Sequence, residues 1–181
     1  MKKILYMLGL ALLLSGIYSS CKEDTLEVLR DAELEALDKY VKDNDLTNAK
    51  DPSGIYFKML HRSTDTTLLR PGSKVMLNYH ITLLNDTVVY STQDKNGNNF
   101  EEVAFYVVEK SDPSSTNPLQ QIEGLHVGLK KMHIGDQAFL VIPSNLAYKA
   151  VNTPTPYGSI PRFSTLLVTV YAKRAYPAGT Y

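Results

Sequence analysis

The order of strand signals around one helical segment is the feature that most constrains how this chain folds. After the turn at residues 51–54, short runs rich in β-branched and aromatic residues follow one another, separated by polar, glycine or proline residues. These runs are residues 55–60, 74–84, 88–91, 103–108, 138–142 and 163–172. One helical signal, residues 119–132, lies between the fourth and fifth runs and has apolar residues at helical spacing from Ile122 to Met132. Several strands and one helix predict an α+β domain, with a curved antiparallel sheet wrapped around that helix.

Two stretches between these elements are rich in residues that interrupt regular structure. Residues 109–118 contain two prolines, with serine and threonine between them, and are predicted to form a surface loop. Residues 143–161 contain five prolines or glycines and are predicted to form a long connection.

A second helical signal precedes the turn and covers residues 25–43. Its apolar residues recur at spacings of three and four, with charged residues between them. The apolar positions are Leu26, Leu29, Ala36, Leu37, Tyr40 and Val41. Thr25 or Asp24 can cap the start of the helix. The helix either packs on the main domain or pairs with a partner, and we expect packing within the chain.

The only cysteine, Cys21, follows a segment with the layout of a secretory signal. Lys2 and Lys3 precede an apolar run from Ile4 to Leu14, and small or polar residues then lead to Cys21. The run is too short to span a bilayer, which requires roughly 20 apolar residues. The layout resembles a bacterial lipoprotein signal, in which the cysteine becomes the lipidated first residue, although Tyr18 stands where an aliphatic residue is usual. An ordinary secretory signal with an incidental buried cysteine is the alternative.

These observations predict how the chain is organised and where it is located. The predicted parts are a removed signal at 1–20, a lipid-anchored leader and helix at 21–50, the main domain at 51–175 and a tail at 176–181. A lipid on Cys21 would hold the protein at the outer membrane of a bacterial envelope, on the periplasmic or the surface side. Residues 22–24, Lys-Glu-Asp, resemble a surface-export signal of some lipoproteins, and a solvated leader is the alternative.

Charge and composition exclude several classes of function. Removal of residues 1–20 would leave 17 basic and 19 acidic side chains, a formal charge of −2, whereas a nucleic-acid-binding protein is expected to have a basic stripe. The four histidines (His61, His80, His126 and His133) lack the ligand spacing of a metal site. Motifs for a serine nucleophile, a dinucleotide or a phosphate loop are not found in the sequence.

Four segments of the predicted domain carry recognisable motifs. Residues 142–148 have the sequence Ile-Pro-Ser-Asn-Leu-Ala-Tyr, and residues 124–135 contain two glycines four apart, then a methionine and a final glycine. The strand at 75–80 carries one tyrosine, and Ile160-Pro161 precedes the last strand. In this order the motifs resemble the FKBP family of peptidyl-prolyl cis-trans isomerases over about residues 54–173.

The resemblance implies a reaction that needs no nucleophile, metal or cofactor. Rotation about a prolyl peptide bond breaks amide resonance and has a barrier of about 18–20 kcal/mol. An apolar pocket with few hydrogen bonds disfavours the polar planar amide relative to the twisted state. The implied partners are proline-containing segments of exported proteins, and the oligomeric state is not specified by the sequence.

The resemblance also assigns roles to particular residues. Tyr148 falls on the tyrosine whose hydroxyl bonds a substrate carbonyl, Ile122 supplies the companion backbone N–H, and Tyr79 completes the catalytic group. The implied substrate-binding residues are Val89, Tyr90, Phe105, Leu125, Ile160 and Val168. For Tyr79, Phe105 and Ile160, plain core packing is the alternative.

Several departures from the family pattern support a second hypothesis. Val89-Tyr90 stands where the family has Phe-Asp, so the pocket carboxylate is absent. Leu125 replaces a tryptophan, and Val168 replaces a phenylalanine. Tyr90 either fills part of the vacated space or closes the pocket. The alternative to an isomerase is therefore a catalytically weak or inactive binding module that recognises a protein partner.

Overall fold

The computed structural model describes residues 23–94, 96–98 and 101–177, so the predicted signal segment, Cys21 and Lys22 lie outside the described residues. The helices and strands are α1 (Glu23–Asp43), β1 (Tyr56–His61), β2 (Lys74–Leu83), β3 (Val88–Ser91), β4 (Val103–Tyr106), α2 (Glu123–Leu129), β5 (Gln137–Ile142), β6 (Thr153–Thr155), β7 (Gly158–Ile160) and β8 (Leu166–Tyr176). Short 3₁₀ helices cover Thr47–Ala49, Pro118–Gln121 and Ser144–Leu146. No helix in this part of the chain is both long and apolar enough to cross a membrane.

The main sheet is antiparallel, as the sequence predicts. Its strand order is β1-β5-β8-β2-β3, and β4 pairs with the first half of β2. The two longest strands, β2 and β8, pair from Lys74 opposite Tyr176 to Leu83 opposite Leu166. The predicted α+β class is therefore confirmed.

Side chains along the central strands alternate between two buried faces. On β5, Leu140 and Ile142 point to the larger core, whereas Val141 between them belongs to a separate cluster on the other side. On β8, Leu167 lies on that second side. Because successive residues of a strand point to opposite faces, we call the larger core the inner face and the smaller cluster the outer face.

Helix α2 lies close against the inner face. A Cβ atom at Gly124 would lie 2.4 Å from Ile142 Cγ2, and one at Gly128 would lie 2.6 Å from Leu140 Cδ1. The two glycines of the predicted helix are therefore the positions where its backbone approaches β5. This close approach fixes the position of α2, and with it Ile122 and Leu125.

Helix α1 packs on the outer face of the sheet within the same chain. Leu37 and Val41 are buried against Val141 and Leu167. The buried stripe differs from the prediction in one respect: Leu29 and Ala36 are exposed, while a charged residue, Glu33, is buried. Burial of Glu33 is possible because it accepts hydrogen bonds from Ser144 and Thr165, which adjoin the ends of β5 and β8.

Three predicted segments differ in detail from the structure. The last strand covers Leu166–Tyr176 instead of residues 163–172. Residues 119–132 form a 3₁₀ turn and then α2, because the backbone of Ile122 between them is extended (φ −81°, ψ 95°). The predicted connection at 143–161 contains the hairpin β6–β7, in which Pro154 pairs with Ser159. Proline is tolerated there because each strand of a two-stranded ribbon has one unpaired edge.

Candidate functional site

The predicted site residues come together on the inner face of the sheet. Each of them except Tyr79 is buried within the inner core, and Tyr79 is partly buried and packs against it. The contributing positions are Tyr79 on β2, Val89 and Tyr90 on β3, Phe105 on β4, Ile122 and Leu125 at the start of α2, Tyr148 after β5, Ile160 on β7 and Val168 on β8. Six separate elements and one connecting segment thus converge on one apolar cluster.

Tyr148 is placed by a tight turn that follows β5. The N–H groups of Ala147 and Lys149 both donate to the carbonyl oxygen of Ser144, at 3.0 and 2.8 Å. Lys149, directly after Tyr148, has a positive φ of 56° and therefore a left-handed backbone conformation. The Tyr148 hydroxyl donates to the carbonyl oxygen of Pro118 at 2.9 Å.

The second predicted donor also has an acceptor in the same neighbourhood. The backbone N–H of Ile122 donates to the carbonyl oxygen of Leu119 at 3.2 Å. Both donors that the family resemblance assigns to a substrate are therefore bound to carbonyls of adjacent residues, Pro118 and Leu119. A substrate carbonyl would have to replace these acceptors.

Tyr90 lies beside Tyr148 inside the cluster. Its hydroxyl is buried and, within the described part of the chain, has no hydrogen-bond partner. The Tyr148 hydroxyl is near enough to affect the pKa of Tyr90, but it donates its hydrogen to Pro118. Tyr90, at the position where the family resemblance implies a carboxylate, is therefore a neutral group whose hydroxyl makes no hydrogen bond to the described residues.

The three tyrosines of the cluster remain protonated at neutral pH. Burial raises the pKa of Tyr79 to about 12, with smaller contributions from Glu101, Tyr90 and Tyr157. Burial also raises the pKa of Tyr90 and of Tyr148, and the nearby Tyr90 adds to the shift at Tyr148. The site consequently offers hydroxyl donors without a charge among its tyrosines.

Sequence reasoning considered His126 only as a metal ligand. It did not predict that His126 is a buried, neutral side chain that packs on Phe105 and makes hydrogen bonds to the backbone. The ring of His126 lies 4.7 Å from that of Phe105, measured between centroids. Its Nδ1 accepts from the N–H of Val108 at 3.3 Å, so Nε2 carries the hydrogen that is donated to the carbonyl of Gln120 at 3.0 Å. Burial lowers the pKa of His126, which favours this neutral form. Its position, four residues after Ile122 on the buried face of α2, was the available signal.

An open cleft lies next to the buried cluster on the side of Tyr148. Its volume is about 650 Å³, and its walls are the loop at 109–113, the positions on either side of Ile122, and the segment at 145–153. Glu123 fixes the loop, because its carboxylate accepts from the N–H of Ser111 at 2.6 Å. Space for a ligand is thus available beside Tyr148 rather than within the cluster itself.

The described residues hold no candidate metal centre. Within 23–94, 96–98 and 101–177, no three His, Cys, Asp or Glu side chains come together as a metal site requires.

Comparisons with known proteins agree with this architecture. The family model described as "FKBP-type peptidyl-prolyl cis-trans isomerase" matches residues 66–172. The crystal structure of FkpA from Escherichia coli matches with a TM-score of 0.67 and 20% identity, covering 96% of this chain and 72% of that one. The structure of the three FKBP domains of wheat FKBP73 matches with a TM-score of 0.54 and 19% identity, covering 70% of this chain and 46% of that one. No curated protein sequence matches the chain.

The two structural matches bear on the fold, and the family model bears on ancestry. Because it spans more than half of the chain and includes β2, α2 and the Tyr148 segment, this chain belongs to the FKBP-type peptidyl-prolyl cis-trans isomerase family.

Proposed function

We propose that this protein is a peptidyl-prolyl cis-trans isomerase of the FKBP type, anchored in the bacterial envelope by a lipid on Cys21. It acts there on proline-containing segments of exported proteins and assists their folding. The observation that carries the proposal is that two hydrogen-bond donors of the apolar cluster, the Tyr148 hydroxyl and the Ile122 N–H, bind the carbonyls of two adjacent residues, Pro118 and Leu119.

The proposed mechanism uses desolvation and one exchange of hydrogen bonds. A proline-containing segment enters the cleft beside Tyr148, and its carbonyl takes the place of the Pro118 carbonyl on the Tyr148 hydroxyl. The apolar side chains around this hydroxyl give little support to the polar planar amide, so the twisted amide is relatively favoured. Since the three tyrosines are neutral at physiological pH, the site presents donors without introducing a tyrosinate charge.

A second candidate function is binding without efficient catalysis. Its support is the closed state of the cluster: Tyr90 is 7% exposed, Tyr148 is 6% exposed, and the Tyr148 hydroxyl already has an acceptor. In this alternative a partner segment occupies the 650 Å³ cleft while the Tyr148–Pro118 hydrogen bond persists.

A prolyl-peptide isomerisation assay distinguishes the two functions. Protein from Lys22 onward should accelerate isomerisation, and Tyr148→Phe should reduce kcat/KM roughly two- to twelve-fold, the equivalent of one neutral hydrogen bond. Tyr176→Phe, at the exposed end of β8, is the matched control and should leave the rate unchanged. No acceleration, together with a stoichiometric partner on purification, would favour the binding module. A Tyr148→Phe variant that keeps full activity but melts earlier would make Tyr148 a core residue.

The proposed anchor is tested separately from the activity. Cys21→Ser should release the protein from the membrane fraction or leave an unprocessed precursor. A variant that still sediments with membranes at unchanged size would contradict lipidation at Cys21. Neutralising residues 22–24 tests the surface-export signal, because protease-accessible protein on whole cells should then decrease.

A further inference from the structure

Helix α1 places a carboxylate on the outer face of the sheet, where the other buried positions of the helix are apolar. Glu33 is 8% exposed and lies one helical turn before Leu37 on the side that faces the sheet. An ionised carboxylate is strongly hydrated in water, so its burial is unfavourable unless protein groups replace the lost hydrogen bonds.

Three donors from two segments that adjoin strands β5 and β8 replace those hydrogen bonds. The backbone N–H of Ser144 donates to Oε1 of Glu33 at 2.7 Å, and the Ser144 hydroxyl donates to Oε2 at 2.5 Å. The hydroxyl of Thr165, just before β8, donates to Oε1 at 2.8 Å. Hydrogen bonds to an ionised acceptor are stronger than neutral ones, so these contacts hold both segments firmly to α1.

Ser144 connects Glu33 to the candidate site. The same residue whose N–H and hydroxyl bind Glu33 offers its carbonyl to the N–H groups of Ala147 and Lys149, which flank Tyr148. The carbonyl of Lys149 in turn accepts from the N–H of Phe163 at 2.8 Å, which joins the turn to the segment that carries Thr165. Glu33 is thus connected through Ser144 to the hydrogen-bonded turn that holds Tyr148.

We propose that Glu33 is a positioning residue for the isomerase site: it fixes the turn at 144–149 so that the Tyr148 hydroxyl is held at the edge of the cleft. The proposal rests on the proposed function for its effect on catalysis. Glu33 lies outside residues 66–172, which match the family model, so this support comes from the N-terminal helix and not from the matched domain. The helix that follows the proposed anchor is therefore part of the site's framework and not a spacer.

The test combines amide hydrogen exchange, isomerase kinetics and thermal stability on the chain from Lys22 onward. Glu33→Ala removes all three hydrogen bonds, and Glu33→Gln keeps one carbonyl acceptor for the Ser144 N–H. Glu35→Gln, on the exposed side of α1, is the matched control.

In Glu33→Ala, exchange at the amides of Ser144, Ala147 and Lys149 should accelerate more than exchange in β2 and β8. Displacement of the Tyr148 hydroxyl should lower kcat about tenfold with a smaller change in KM. The reason is that the transition state depends more than substrate binding does on the exact position of this hydroxyl. Glu33→Gln should recover most of both properties, and the control should match the wild type.

Two results would overturn the proposal. One is a folded Glu33→Ala protein in which exchange in the 144–149 turn changes no more than exchange in the central strands. The other is a Glu33→Ala protein that loses thermal stability but keeps the wild-type kcat, since a purely structural contact would behave in that way. A wild-type protein without isomerase activity overturns the proposed function alone, and the exchange rates then decide whether Glu33 holds the turn. If Glu33→Ala does not fold, Ser144→Ala is measured instead, because it removes the hydroxyl contact to Glu33 and keeps the backbone groups of the turn. Unchanged exchange in the turn together with an unchanged kcat in that variant contradicts the proposal.

Discussion

Two buried polar side chains on opposite faces of the sheet, Glu33 and Tyr90, differ in how their hydrogen bonds are satisfied. On the outer face, the Glu33 carboxylate accepts three hydrogen bonds from Ser144 and Thr165. On the inner face, the Tyr90 hydroxyl is buried beside Tyr148 and has no partner within the described residues. A buried polar group without a partner costs roughly 1–3 kcal/mol, whereas a fully paired one costs little.

This difference indicates that the outer face attaches helix α1 to the sheet, whereas the inner face carries the candidate functional site. The outer face has the features of a fixed junction, because its one carboxylate is paired and its apolar contacts join α1 to β5 and β8. The inner face keeps unused hydrogen-bonding capacity at Tyr90, next to a donor that already has an internal acceptor. Unsatisfied buried groups are uncommon in folded proteins, so the unpaired Tyr90 hydroxyl is an exception that needs a physical explanation.

The largest expected effect tests the outer face as a fixed junction. Leu37→Ala should lower the free energy of unfolding by about 2–4 kcal/mol, because a buried leucine is removed from a small cluster. Urea unfolding measures this value, and Leu34→Ala, on the exposed side of the same helix, is the control. If Leu37→Ala leaves the global transition unchanged and only makes α1 sensitive to protease, the helix does not unfold together with the sheet.

The next effect concerns how closely the inner face is packed. Gly124→Ala should lower the free energy of unfolding by about 1–3 kcal/mol, because the new Cβ would lie 2.4 Å from Ile142 Cγ2. Gly128→Ala should cost less, since its Cβ meets the end of the more adaptable Leu140 side chain, whereas the branched Ile142 is stiff at χ1. Equal stability of wild type and Gly124→Ala would show that α2 can move away from β5.

The sequence predicted the sheet and the location of the candidate site, because local patterns specify both. Runs rich in β-branched and aromatic residues mark the strands, and the motif at 142–148 identifies Tyr148. It did not predict the role of Glu33, because the partners of Glu33 are 111 and 132 residues away and helical spacing alone gives no sign of them.

The sequence also did not predict that Tyr90 and Tyr148 are buried in the inner cluster and that the Tyr148 hydroxyl has an internal acceptor. Whether Tyr90 fills the space left by the missing aromatic side chains depends on packing among several strands. The acceptor for Tyr148 depends on the path of the loop that ends at Pro118, which is 30 residues earlier in the chain. Composition identifies residues 109–118 as a loop without specifying where its carbonyls point.

A smaller effect is expected from pH, again on the inner face. Burial lowers the pKa of His126 below its usual 6.5, an effect only partly offset by the hydrogen bond to Gln120 and by Glu123. The unfolded chain therefore takes up a proton before the folded one, and stability should fall as the pH decreases below about 6.5. Urea unfolding between pH 7.5 and 5 measures the slope, and His126→Gln, which removes the titratable ring, should flatten it. Asp51, whose pKa is lowered to about 2, contributes only at lower pH. If the free energy of unfolding changes with pH in the same way in His126→Gln and in the wild type, groups other than His126 cause the change.

The smallest effect compares two neighbouring hydroxyl groups and bears most directly on the difference between the faces. Tyr148→Phe removes the donor to Pro118 and should lower the free energy of unfolding by about 0.5–1.5 kcal/mol. Tyr90→Phe removes a hydroxyl that has no partner, so the stability should stay the same or rise slightly. Both variants keep the aromatic ring in the cluster, and each therefore serves as the control for the other in urea unfolding. An equal loss in both would mean that the Tyr90 hydroxyl is hydrogen-bonded in solution. Tyr90 would then be paired, as Glu33 is, and would have no unused donor to offer a substrate.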